Sequence, residues 1–101
     1  MDTARLTDEE LQERIRQVSG KLIAARIKRA RKTIDGPDGL THDEFGERCG
    51  LVRTHLIKLE KGINRPRAAT LRRISEASGR SVDWFLDPSL DPSPFPDGEC
   101  V

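Results

Sequence analysis

The side chains best suited to chemistry in this sequence lie between residues 53 and 61. Leu56 and Leu59 are three positions apart, so in a helix they share one face, and side chains on the other faces of that helix point away from it. The outward side chains are those of Arg53, Thr54, Ile57, Lys58 and Lys61. Arg and Lys donate hydrogen bonds to guanine edges, and Thr or Ile methyl groups contact the thymine methyl group. This pattern predicts recognition of DNA without covalent chemistry.

Two short helices joined by a glycine turn are predicted to hold this face in place. Thr41 and Glu44 have the spacing of a capping box, which begins the first helix. Gly50 supplies the positive φ that ends it. Gly46 is predicted to lie at the closest approach of the two helices, where only Gly or Ala fits. The second helix is predicted over about residues 53–61, which completes a helix-turn-helix that lays this helix in the major groove.

The distribution of charge indicates a polyanionic partner. The chain has 101 residues and a net charge of only +1, but residues 20–67 carry 12 basic and 6 acidic side chains, a net charge of +6. Positive charge clustered over the helix-turn-helix is typical of a nucleic-acid partner. One basic run in this segment is either a solvated face or a set of contacts to flanking phosphates. It consists of Arg26, Lys28, Arg29, Arg31 and Lys32.

Two further helices are predicted before the helix-turn-helix. Thr7 and Glu10 form another capping box. An apolar stripe then recurs at spacings of four, three and four residues, and it consists of Leu11, Ile15, Val18 and Leu22. Its first three residues, Leu11, Ile15 and Val18, either pack against the domain or contact a second copy of the chain. Gly20 separates this extension from the next helix, which is predicted to end near Thr33 because dense turn residues follow.

The last third of the chain is predicted to contain two helices and a tail. One helix ends at Gly79, and Ser81 caps a final short helix. Trp84 and Phe85 on this final helix are either core residues or a partner surface. Beyond it, prolines without apolar periodicity predict a flexible tail.

The predicted organisation has three parts. An N-terminal helical extension covers residues 1–19, a DNA-binding domain covers residues 20–86, and a disordered Pro-rich tail covers residues 87–101. No internal repeat divides the chain further. A chain of this length is expected to form one small domain with a modest core.

Other classes of function lack their sequence signatures. The chain has two histidines, no tyrosine, no phosphate-binding loop and no paired carboxylates in a cleft-forming context, so we expect no enzyme. Cys49 and Cys100 fit neither a disulfide framework nor a zinc pattern, which predicts reduced thiols, Cys49 buried between helices, and no metal or cofactor. No segment approaches the ~18 apolar residues of a membrane span, and the acidic N-terminus is unlike a signal peptide. These features predict a cytoplasmic protein.

Several short motifs combine into one recognisable pattern. They are Leu40-Thr41-His42, Gly46, Gly50, Leu56, Leu59-Glu60-Lys61-Gly62, Arg65-Pro66 and Ser81-Val82-Asp83-Trp84-Phe85-Leu86. Through them the chain from about Leu22 to Leu86 resembles the lambda-repressor/Cro family of phage and bacterial regulators. The resemblance implies an all-α, five-helix helix-turn-helix domain, here with an additional N-terminal helix, that acts as a repressor of a temperate phage or prophage. The alternatives are an antitoxin or bacterial regulator of the same fold, or a protein-interaction module that has lost DNA binding.

The resemblance also implies which residues contact double-stranded operator DNA. The base readers are Arg53, Thr54 and Lys58, with Ile57 as a methyl contact. The residues expected at the DNA backbone are His42, Lys61, Asn64, Arg65 and Arg67. Since the family commonly binds two half-sites as a dimer and this chain has no separate dimerisation domain, we expect a monomer in solution or a weak homodimer that pairs on DNA. Its expected location is the nucleoid of the bacterial host.

Three positions depart from the family pattern. His42 stands where the family usually has a phosphate-contacting Gln. Gly46 replaces a common Ala, which lowers helix stability locally by about 1 kcal/mol. Val52 replaces a Ser or Thr cap, so capping of the second helix is not expected from its side chain. Glu60 is predicted to be structural and to pair with a nearby Arg.

Overall fold

The computed structural model describes residues 6–34 and 39–88, and every regular element in these two segments is helical. The helices in chain order are α1 (Asp8–Gln17), α2 (Gly20–Thr33), α3 (His42–Cys49), α4 (Arg53–Glu60), α5 (Ala68–Ser78) and α6 (Val82–Leu86). The predicted all-α fold with an additional N-terminal helix is confirmed. Residues 35–38 of the predicted turn and the predicted tail from residue 89 lie outside the described residues. No helix within the two segments is long and apolar enough to cross a membrane.

Helices α1 and α3 both begin with a capping box. The Glu10 backbone N–H donates to the Thr7 hydroxyl at 3.2 Å, and the Thr7 N–H donates to the Glu10 carboxylate at 2.9 Å. Thr41 and Glu44 repeat the arrangement at 3.1 and 2.8 Å. The bonds lower the pKa of both carboxyl groups because they favour the charged form. Both predicted capping boxes are therefore confirmed.

One hydrophobic core is shared by the six helices of the described chain. Its fully buried side chains are Leu11, Ile15, Ile23, Ile27, Phe45, Leu56, Leu59, Leu71, Ile74, Phe85 and Leu86. Trp84 is also buried, so the core alternative holds for both aromatic residues of α6. Burial of one large apolar side chain contributes about 1.5–3 kcal/mol. The two leucines of α4 therefore hold this helix firmly against α2 and turn its opposite face outward.

Helix α1 packs into this core and also supplies polar contacts to the rest of the domain. Leu11 and Ile15 are fully buried within the chain, so the apolar stripe packs against the domain and is not free to contact a second copy. The Ala68 backbone N–H, at the start of α5, donates to the Gln12 side-chain oxygen at 3.0 Å. Arg67, the N-cap residue of α5, gives no side-chain cap within the described chain. Gln12 therefore performs the capping from another helix.

The turn between α3 and α4 brings two backbone segments together at Gly46. A Cβ atom there would lie 2.6 Å from the Leu51 carbonyl oxygen, closer than real Cβ atoms approach. Gly50 has a φ of 73° and ends α3, and the Leu51 N–H then donates to the Gly46 carbonyl at 2.8 Å. The close approach is thus to the turn. The prediction that Ala also fits at this position is wrong here, because even a methyl group requires the turn to shift.

We predict that Gly46→Ala destabilises the domain. The substitution gains about 1 kcal/mol of helix propensity, but overpacking against backbone costs about 1–3 kcal/mol. The expected net loss in the free energy of unfolding is about 1 kcal/mol, measured by urea unfolding followed by circular dichroism.

Gly20→Ala is the matched control for this substitution. A Cβ at Gly20 would lie 3.7 Å from the Arg65 guanidinium, an ordinary contact distance. The control should leave stability equal or higher. A Gly46→Ala protein at least as stable as the wild type would contradict the close approach at the turn.

Candidate nucleic-acid interface

The outward face of α4 presents two cations and a hydroxyl group to solvent. Arg53, Thr54 and Lys58 are exposed, and Ile57 is half-buried beside them. These side chains lie away from the two buried leucines of the same helix, because the leucines fix which face turns inward. The structure therefore brings the four predicted base readers together on α4. Ile57 is the least accessible of the four.

Arg53 has one ionic partner across the turn. Its Nη1 atom lies 3.4 Å from Oδ2 of Asp43, which is in the first turn of α3. The two side chains are 61% and 69% exposed, so water and salt weaken their attraction. An exposed pair of this kind contributes little to stability. The Arg53 guanidinium can therefore exchange Asp43 for another acceptor at small cost.

The N-terminus of α4 has no side-chain cap among the described residues. Val52 occupies the N-cap position in an extended conformation, and its side chain accepts no hydrogen bond. The first turn of α4 contains no acidic residue, whereas the first turn of α3 contains Asp43 and Glu44. The expectation from the sequence that Val52 leaves this helix uncapped is confirmed. The N-terminus of α4 is therefore the positive end of the helix dipole, and none of the side chains in its own first turn is acidic.

The segment that connects α4 to α5 presents four of the predicted DNA-backbone residues. Lys61, Asn64, Arg65 and Arg67 are exposed along this connector. Gly62, with a φ of 76°, turns the chain, and the Ile63 N–H donates to the Lys58 carbonyl at 3.0 Å. The connector therefore continues directly from the end of α4 and places polar and basic groups beside it.

Arg65 is held against the end of α1. Its Nη1 group donates to the Ile15 carbonyl at 2.8 Å and also to the Val18 carbonyl. Carbonyls at a helix C-terminus lack partners within the helix, and a cation there complements the helix dipole. This role could not be predicted from the sequence, because the partners of Arg65 are at residues 15 and 18, far from the motif in the chain. Contact of the remaining guanidinium donors with phosphate stays a prediction.

His42 begins α3 and faces Glu60. Its Nε2 atom lies 3.2 Å from Oε1 of the Glu60 carboxylate, and its side chain is half-buried. The sequence predicted a phosphate contact for this residue at the helix N-terminus. That contact stays a prediction, and it would have to use the other ring nitrogen or the backbone N–H.

The Glu60 carboxylate forms a buried, two-pronged ion pair with Arg31. Arg31 Nε lies 2.7 Å from Oε2 and Nη2 lies 3.0 Å from Oε1, and the two side chains are only 10% and 5% exposed. Arg31 Nη1 also donates to the Leu40 carbonyl at 2.9 Å. The predicted pairing of Glu60 with an Arg is confirmed. It joins the end of α2, the approach to α3 and the end of α4.

The basic run between residues 26 and 32 is partly buried and partly exposed. Neither expectation, a solvated face or a set of phosphate contacts, therefore holds for all of its residues. Arg26 and Arg31 are buried, whereas Lys28 and Lys32 are exposed. Arg26 donates to the Trp84 carbonyl and lies 5.1 Å from the Trp84 ring centroid. Two arginines of the run therefore hold the domain together, because a buried guanidinium can bridge several carbonyl and carboxylate acceptors.

Cys49 is a buried side chain of the core, as the sequence predicted. Burial raises the pKa of its thiol to about 11, because the apolar surroundings disfavour the thiolate. The thiol is therefore protonated at neutral pH and is a poor nucleophile. Within residues 6–34 and 39–88, no group of three His, Cys, Asp or Glu side chains could hold a metal ion.

The amino-acid sequence of this chain matches the model of a known protein family. A family model described as "Helix-turn-helix" matches residues 27–85, which is more than half of the chain. The match contains α3, α4 and the connector between α4 and α5, and it begins after α1. Searches of curated proteins and of solved structures gave no significant match.

We predict that Glu60→Gln strongly destabilises the domain. The variant keeps the shape of the side chain but leaves the Arg31 cation buried without its carboxylate. Breaking a buried pair from one side costs about 3–5 kcal/mol, a large part of the ~5–15 kcal/mol stability of a small domain. Urea unfolding of the full chain measures the loss.

The double variant Arg31→Met/Glu60→Leu separates charge from packing. Removing both charges leaves no unpaired ion at this site, so it should recover part of the lost stability. It will not recover all of it, since the Leu40 carbonyl loses a donor. If Glu60→Gln unfolded within about 1 kcal/mol of the wild type, the pair would not be the constraint described here.

Proposed function

The chain belongs to the lambda-repressor/Cro-like helix-turn-helix family of DNA-binding regulators, and we propose that it is a sequence-specific transcriptional repressor of the phage or prophage type. In this proposal α4 lies in the major groove of double-stranded operator DNA. The exposed side chains of Arg53, Thr54 and Lys58 read base edges, and Ile57 contributes a methyl contact. The family is one of regulators, and no catalytic role is proposed.

The single observation that carries the proposal is the exposed basic face of α4 on a rigidly held helix. Arg53 and Lys58 lie on successive turns, and the buried Arg31–Glu60 pair fixes the far end of the helix. A guanidinium or ammonium group placed this way donates to guanine O6 and N7. The alternative of a protein-interaction module without DNA binding is less well supported, because both cations are present and exposed beside the positive end of the helix dipole.

The connector between α4 and α5 is proposed to contact the DNA backbone. Lys61, Asn64 and Arg67 are exposed there. Arg65 has guanidinium N–H groups, and His42 a backbone N–H at the start of α3, that donate to no other group among the described residues. Phosphate contacts position a protein on DNA, and base contacts specify the site. The net charge of +6 over residues 20–67 supports attraction to DNA before docking.

We propose a monomer in solution, or a weak homodimer, that pairs on DNA. The apolar stripe of α1 is buried within the chain, so pairing would have to use another surface. Such a regulator would act in the bacterial cytoplasm at the nucleoid and would need no cofactor. Sedimentation with and without operator DNA tests the pairing.

We predict that Arg53→Ala relaxes base preference at one operator position. Loss of a good bidentate contact to a guanine costs about 1–3 kcal/mol. The operator is first identified by selecting the sequences that the wild-type chain binds from random DNA. Gel-shift titrations with this operator and with its single-base variants then measure the loss of affinity and locate the base pair concerned. Unchanged affinity and specificity would remove Arg53 from the base readers.

Arg67→Ala should behave differently, because a phosphate contact carries no sequence information. We predict weaker binding to all sequences alike and a salt dependence whose slope, log K against log salt concentration, is smaller by about 0.9. The measurement is a titration of operator and random DNA at several salt concentrations. An unchanged slope would remove Arg67 from the phosphate contacts.

A further inference from the structure

We propose that Val52 determines specificity by contacting the 5-methyl group of a thymine in the operator. The inference rests on the proposed function, in which α4 enters the major groove. It adds a residue that the sequence analysis did not place among the base readers. The contact is apolar, so it would recognise a thymine by its methyl group and not by its hydrogen-bonding edge.

The exposure of Val52 is the first observation that carries this proposal. Its side chain is 71% exposed, and only Val52 and Ile63 are exposed large hydrophobic residues in the described part of the chain. The other large apolar side chains there are buried or half-buried. Most of the Val52 side chain therefore lies outside the packing of the described residues.

The second observation is what the domain loses by having Val at this position. Val52 is the N-cap of α4, with φ −73° and ψ 150°, and the Leu56 N–H donates to its carbonyl at 3.1 Å. This extended conformation suits Ser, Thr, Asn or Asp, whose side chains would cap the free N–H groups of the helix. The helices α1, α2, α3 and α6 all have such a residue at the N-cap. Val at the tip of α4 forgoes that stabilisation.

The position of Val52 explains why an apolar group is useful there. It directly precedes Arg53, at the end of α4 that the proposed function places against the bases. The thymine methyl is the one apolar group that a base pair presents in the major groove. An exposed isopropyl group at this tip can bury itself against that methyl and has no competing hydrogen-bond partner.

The test uses an operator that the full wild-type chain selects from random DNA. Each thymine is replaced in turn by deoxyuridine, which removes only the 5-methyl group. Wild-type protein should lose about three- to fivefold in affinity at each thymine whose methyl group is contacted, the effect expected for one buried methyl-sized group. At one of these thymines the loss should depend on Val52. Val52→Ser should bind the thymine and deoxyuridine forms of that site equally.

Stability measurements distinguish this role from a structural one. Val52→Ser supplies a cap, so it should unfold at a higher urea concentration than the wild type while it loses the methyl discrimination. Val52→Thr adds a hydroxyl and keeps one γ-methyl group, so it should gain stability and retain part of the discrimination. Ile63→Ala, at the other exposed hydrophobic residue, is the matched control and should keep the full deoxyuridine effect.

Two results would overturn the inference while leaving major-groove binding by α4 intact. One is a wild-type protein that binds its operator with no loss at any deoxyuridine, which would also remove the methyl contact proposed for Ile57. The other is a Val52→Ser protein that keeps the same loss at the same thymine. A chain that selects no operator at all would instead contradict the proposed function, so the two failures are distinguishable.

Discussion

The hydrogen bonds between the Arg31 guanidinium and the Glu60 carboxylate join the last turn of α2 to the last residue of α4. The same guanidinium donates to the Leu40 carbonyl just before α3, and His42 at the start of α3 faces the same carboxylate. One buried pair thus fixes both helices of the helix-turn-helix relative to the helix before them. Burying an ion pair costs the solvation free energy of both ions. Removing one partner destabilises the protein more than replacing both with apolar residues, because it leaves a buried charge unpaired. Its value here is that it sets where α4 points, so that the exposed cations keep one geometry.

Helix α1 stabilises the connector after α4 in a complementary way. The carbonyls of Ile15 and Val18 accept hydrogen bonds from Arg65, and Gln12 caps α5 at Ala68. Through these contacts α1 anchors the end of the connector that leads into α5. The family match begins at residue 27 and therefore does not include α1. Helix α1 is nevertheless hydrogen-bonded to the segment that carries the proposed phosphate contacts.

The sequence allowed most of the fold and the outward face of α4 to be predicted, because both depend on short-range signals. Capping boxes, glycines with positive φ and the spacing of Leu56 and Leu59 act within a few residues. The roles of Arg31 and Arg65 could not be predicted, since their partners lie 29 and about 50 residues away in the chain. Both look like ordinary surface cations in the sequence. The lack of space for a Cβ atom at Gly46 could not be predicted either, because it depends on the path of the turn that follows α3.

The central claim is that α4 reads a specific DNA sequence from the major groove, and selection of binding sites from random DNA tests it most directly. The full chain is incubated with a random duplex pool, and the bound sequences are determined after several rounds. The account predicts a short enriched motif, in which methylation of guanine N7 in the major groove interferes with binding. A pool without sequence enrichment, or a motif insensitive to guanine N7 methylation, would contradict it.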